Sequence, residues 1–90
     1  MKDRMGLYYY PFPENKRVRM YVRQKADEIE FRMKNDDDPV VWNKHGWIAY
    51  SAIQQAQVLY AKRGAFDPHR AYDLKVAKAV LAEEDQEAGN

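Results

Sequence analysis

The chain has 90 residues, of which 46% are hydrophobic and 13% aromatic, and a formal net charge of +1. That length suits a single domain with one core, burying only about 60 to 65% of its unfolded surface, and the composition argues against disorder. The near-neutral charge supplies no global field toward a polyanion, the absence of cysteine removes disulfides and thiol chemistry and points to a reducing cytoplasmic setting, and no apolar run nears the ~20 residues that span a bilayer.

The first structured stretch, Leu7 to Tyr10, carries strand-forming residues but is cut off by Pro11 and Pro13. It reads as a short edge strand or as an extended arm. From Arg17 to Arg23 the residues alternate, with Val18, Met20 and Val22 on one side and Arg17, Arg19, Tyr21 and Arg23 on the other. This is the period of a strand with one buried face. Glu28 to Lys34 repeats it, with Ile29, Phe31 and Met33 inward. Antiparallel pairing across the polar connection Gln24 to Asp27 would set Glu28 and Glu30 opposite arginines of the first strand, each matched pair contributing up to ~1 kcal/mol.

Asp36, Asp37 and Asp38 precede Pro39, and a carboxylate followed by proline is a helix-start signal, the acid capping free N–H groups and the ring presetting the first turn. A single turn over Val40 to Trp42 should stop near Gly46. A longer helix is expected from about Trp47 to Lys62 or Arg63, because Ala49, Ala52, Ile53, Ala56, Leu59 and Tyr60 recur at helical spacing before Gly64. Asp67 and Pro68 repeat the start signal, and Tyr72, Val76, Ala77, Val80 and Leu81 trace a second helix to about Glu83. The short link Gly64 to Asp67 predicts that the two helices pack antiparallel.

These elements predict an α+β fold: an antiparallel β-hairpin or three-stranded sheet packed against a C-terminal two-helix hairpin. It forms a single domain over residues 1–90, with an ordered core from about 7 to 83. Residues 85–90 follow the last apolar anchor and are expected to fray.

Few residues carry a chemical signature. The only serine, Ser51, lies within a helical pattern without a G-x-S-x-G elbow, and threonine is absent. The four glycines are dispersed and form no phosphate loop, and the acids between Asp27 and Asp38 do not follow calcium-loop spacing. A metal-dependent hydrolase around His45 and Asp36 to Asp38 is the third-ranked reading of function, although neither His45 nor His69, taken with those acids or with Asp67, shows the spacing of a known ligand signature. No cofactor and no metal site is therefore expected.

Two binding readings remain. The segment Pro39 to Tyr50 holds both tryptophans, and tryptophan is a frequent anchor of protein interfaces. With Tyr9 and Phe12 of the tyrosine arm, Trp42 and Trp47 are the candidate contacts of a non-catalytic interaction or adaptor module, its partner another protein or a second copy of the chain. The alternative is single-stranded nucleic acid on the region Tyr8 to Arg23. There Tyr8, Tyr10 and Tyr21 would stack bases while Lys16, Arg17, Arg19 and Arg23 neutralise phosphates. Neither an RNP-type motif nor a GXXG loop supports that alternative.

Overall fold

The computed structural model describes residues 1–61 and 71–88. Its strands are β1 (Lys2–Asp3), β2 (Gly6–Tyr9), β3 (Val18–Lys25), β4 (Glu28–Asn35) and β5 (Ile48–Ala49), and its helices are α1 (Val40–His45), α2 (Tyr50–Ala61) and α3 (Leu74–Ala88). The strands form one antiparallel sheet in chain order, β1-β2-β3-β4-β5. Helix α2 lies against β4 and β5, and α3 against β2 and β3. The fold is thus α+β, with five strands instead of two or three.

The alternation read from β3 and β4 sets the register. Met20 faces Met33 and Val22 faces Phe31, while Leu7 and Tyr9 of β2 face Val22 and Met20. These side chains form the inner face, and with Ile53 of α2, Ala71, and Ala77 and Val80 of α3 they make the core. Met20 and Phe31 are fully buried, each such side chain contributing ~1.5 to 3 kcal/mol. The small Ala71 and Ala77 allow α3 and the chain before it to come close to the sheet. Tyr9 ties the two layers together: its hydroxyl donates to the Ala71 carbonyl at 2.6 Å and accepts from the Asp73 N–H at 3.0 Å. Burial drives the Tyr9 phenol pKa well above the usual tyrosine value.

Several expected boundaries move, for identifiable reasons. Ile48 and Ala49 form a strand and not a first helical turn, because pairing with Phe31 and Glu30 covers the edge of β4 and brings Ile48 against the core. Helix α3 is capped by Asp73, whose Oδ1 accepts from the Val76 N–H at 3.2 Å and whose carbonyl accepts from the Ala77 N–H at 2.9 Å. Its backbone continues to Ala88, so the tail expected to fray from Asp85 is helical through most of its length. Alanine, glutamate and glutamine fill those last turns, and all three are good helix formers.

At α1 the expected Asp38 carboxylate cap is absent. Pro39 occupies the cap position, and the Asp38 backbone carbonyl accepts from the Val41 N–H at 3.2 Å. Gly46 ends α1 with φ +59, the left-handed conformation that glycine adopts without a Cβ clash. The expected stop at Gly64, the link to Asp67, the Asp67–Pro68 start signal and the side chains of Leu59 and Tyr60 lie outside the described residues. Among the described residues no helix is long and apolar enough to cross a membrane.

Candidate functional site

The face of the sheet opposite α2 and α3 is built by the other half of the alternation. Tyr8 of β2 sits beside Tyr21 of β3, which sits beside Arg32 of β4. Helix α1 brings Trp42 onto the same face. The rings form a chain: Tyr10 meets Tyr8 edge-on at 5.7 Å between centroids, Tyr8 meets Tyr21 at 5.4 Å, and Tyr21 meets Trp42 edge-on at 5.4 Å. Such tilted and T-shaped contacts are the favoured geometry for aromatic quadrupoles.

Cations are layered onto this chain. Arg19 lies over Tyr8 at 5.0 Å, Arg23 over Trp47 at 4.3 Å, Arg32 over Trp42 at 3.8 Å and Lys16 over Tyr10 at 5.9 Å. Each pair contributes ~0.5 to 1 kcal/mol, more where water is excluded. Arg32 does more than stack. Its Nε and Nη2 both donate to the Trp42 carbonyl, at 2.9 and 2.7 Å, which fixes α1 to β4 and with it the angle of the indole.

Charge on this face is largely matched within the chain. Asp3 of β1 accepts from the Tyr21 hydroxyl, from Arg19 at 3.2 Å and from the Met5 N–H at 2.8 Å. Burial opposes ionisation of Asp3, but these donors outweigh it and hold its carboxyl below the usual carboxylate value. The Tyr21 phenol is pushed up to about 12, first by burial and then by its bond to the Asp3 carboxylate. Arg23 donates from Nε to Glu30 at 2.6 Å, and Arg17 pairs with Asp37 at 2.6 Å. The Arg19 Nε is buried and, among the described residues, has no hydrogen-bond partner. At the neighbouring corner Glu28 accepts from the Ser51 N–H at 2.9 Å at the start of α2, which lowers its pKa.

The sequence candidates divide by position. Trp42 and Trp47, on opposite sides of the Gly46 break, each stack on an outward arginine of the sheet, Arg32 and Arg23, and both are half-buried. Tyr8 and Tyr10 line the outer face. Tyr9 points the other way and is buried in the core, so its side chain is not available as a contact for a partner. Phe12 packs half-buried against that core from the turn beyond β2. Tyr21 is fully buried between Tyr8 and Trp42 and offers no ring face for a base. Arg17, Arg19 and Arg23 all hold acids of the chain, and Lys16 is exposed. His45 and Asp36 to Asp38 are exposed, and among the described residues no three His, Asp or Glu side chains converge as metal ligands would; His69 lies outside the described residues.

Two residues central to this face went unread in the sequence. Arg32 looked like one more outward charge of β4, and only the helix crossing above it reveals a main-chain acceptor. Asp3 precedes any recognisable pattern and gains its role when β1 pairs with β2. The arrangement presents flat rings and N–H donors held in fixed orientation, which is chemistry suited to contact. No protein family, characterised protein or solved structure matches this chain, so a functional reading rests on this geometry.

Proposed function

We propose that the chain is a small non-catalytic binding module that engages a protein partner through the outer face of its sheet, with Trp42 and Trp47 as anchors. One observation carries the reading: two tryptophans from separate segments are each held by an outward arginine of the sheet stacked on the ring. Rings fixed before contact lose little freedom on binding, and tryptophan and arginine are the residue types that dominate interface energetics.

The test is affinity purification of the tagged chain from its own cells, run in parallel for the wild type and for Trp47→Ala. At least one protein is expected to be retained by the wild type and lost from the variant, while the variant's melting temperature stays within a few degrees. An unchanged set of bound proteins, or unfolding of the variant, ends this assignment.

A second reading, single-stranded nucleic acid, is favoured by the charge of the same face. The outward positions from Arg17 to Lys34 hold Arg17, Arg19, Arg23, Lys25, Arg32 and Lys34 against Glu28 and Glu30. It ranks second because Asp3, Glu30 and Asp37 already occupy three of those arginines, and because Tyr21 has no exposed ring. Anisotropy of a labelled mixed-sequence oligonucleotide separates the two. Micromolar binding that weakens with salt would replace the protein-partner reading, and no binding at low salt leaves it standing.

A further inference from the structure

Strand β2 begins only at Gly6, whereas its antiparallel neighbour β3 runs on past Val22 through Arg23, Gln24 and Lys25, which pair with β4. The step leaves a notch at the end of the sheet with a volume of about 520 Å³, within the range of small-molecule sites. Its lining is chemically divided. Met5, which is exposed, and Leu81 of α3 supply apolar surface beside the buried Leu7 and Val22, the Trp47 ring forms a wall, and Arg23 brings positive charge.

Arg23 is the best-placed of these groups. Glu30 takes its Nε, and the indole of Trp47 lies against its guanidinium. Among the described residues its two terminal nitrogens meet no acceptor, so part of the donor fork is held in place yet unused. Glu30 is not part of the notch lining, and no carboxylate is found among the lining residues described. A guanidinium with open N–H groups beside the exposed Met5, Leu81 and the Trp47 ring is complementary to a molecule of the opposite charge with an apolar body.

We propose that this notch binds a small amphiphilic carboxylate, its head on the free nitrogens of Arg23 and its hydrocarbon body over Met5 and Leu81 beside Trp47. The assignment does not depend on a protein partner for the outer face, although Trp47 borders both sites.

Decanoate is the probe, with decanol and acetate as controls for the head and the body. Binding is followed by calorimetry, and by tryptophan emission of Trp42→Phe, in which only Trp47 reports. Decanoate is expected to bind saturably and to shift Trp47 emission, with decanol about tenfold weaker and acetate silent, since a charge-assisted hydrogen bond is worth about a factor of ten or more. Arg23→Gln should weaken decanoate by about that factor and leave decanol unchanged. Because Arg23→Gln also unpairs Glu30, Gln24→Glu is the second variant: Gln24 is exposed and lines the notch, so the new carboxylate should repel decanoate, with Gln24→Met, which loses the same bond to the Ala26 carbonyl but adds no charge, as its control. The proposal is overturned if decanoate does not bind, if decanol binds equally well, or if neither variant alters decanoate affinity. A failure here leaves the purification result with Trp47→Ala untouched, so the two assignments fail separately.

Discussion

The two faces of this sheet come from the same strands and the same two-residue period, yet they are held by different forces. The inner face, with Leu7, Met20, Val22 and Phe31 under α2 and α3, is stabilised by apolar area removed from water. On the outer face Tyr21 is as deeply buried as Phe31, but what buries it is Tyr8, Trp42 and the strap of β1, joined by stacked arginines and the Asp3 carboxylate. A face made this way is ordered without being closed. Its rings keep fixed positions while Trp42, Trp47, Tyr8 and Tyr10 remain partly in solvent, which suits a contact surface better than a second apolar core would.

The largest expected effect separates the faces directly. Phe31→Ala removes a fully buried ring packed against Tyr50 and Tyr72 and should cost about 3 to 5 kcal/mol. Trp42→Ala removes a larger ring but should cost only about 1 to 2 kcal/mol, because the indole is half-buried, its stacking on Arg32 is a small contribution, and the Arg32 bonds go to the main-chain carbonyl that survives the change. Urea denaturation of both variants measures the gap. Equal losses would mean that the outer face is a second core and that Trp42 is not free to serve a partner.

Acid should sharpen the contrast at a smaller scale. No inner-face side chain named above changes charge below neutral pH, whereas Asp3 does. Its folded value lies below the ordinary 3.8, so the stability it adds is complete above about pH 4 and is lost as pH falls through the depressed folded value. The expected result is loosening of β1 before global unfolding, seen as faster exchange of the Tyr8 amide, which donates to the Met1 carbonyl at 2.9 Å. Asp3→Asn should remove this acid step and cost about 1.5 kcal/mol at neutral pH, the low end for one charge-assisted bond. An acid profile that Asp3→Asn leaves unchanged would assign the loosening to other carboxylates.

How much of this was legible in the sequence follows from range. Alternation over Arg17 to Lys34 predicted both long strands, their inward residues and the pairing of Glu30 with an arginine, because each depends on neighbours in one hairpin, whereas Glu28, expected opposite an arginine too, faces Lys25 and accepts from the Ser51 N–H. The strands at the sheet's edges were not legible. Lys2–Asp3 and Ile48–Ala49 are too short to show a period and exist only because β2 and β4 have edges to cover. The site was legible by residue type and not by grouping: the tryptophans stood out, but nothing local says that Gly46 turns the chain so that each reaches an outward arginine of the sheet, or that Tyr9 and Tyr8 part company at the sheet.

The smallest effect concerns the turn that both faces share. Lys25 and Glu28 close the β3–β4 hairpin, and Ala26 between them has φ +54, a left-handed conformation in which a Cβ costs about 1 to 2 kcal/mol. The Gln24 side chain donates to the Ala26 carbonyl at 3.0 Å and helps to hold the turn. Ala26→Gly removes the steric cost but gives the unfolded chain extra freedom worth about 0.5 to 1 kcal/mol, so the net gain should be only about 0.5 kcal/mol. Because the turn fixes the register of β3 on β4, that gain should appear as a higher denaturation midpoint with an unchanged slope, and the exchange of inner-face and outer-face amides should slow together. A lower midpoint would mean that Ala26 is not left-handed in solution. Slowing confined to one face would mean that the faces are not coupled through the hairpin, and that the outer surface rearranges independently of the core beneath it.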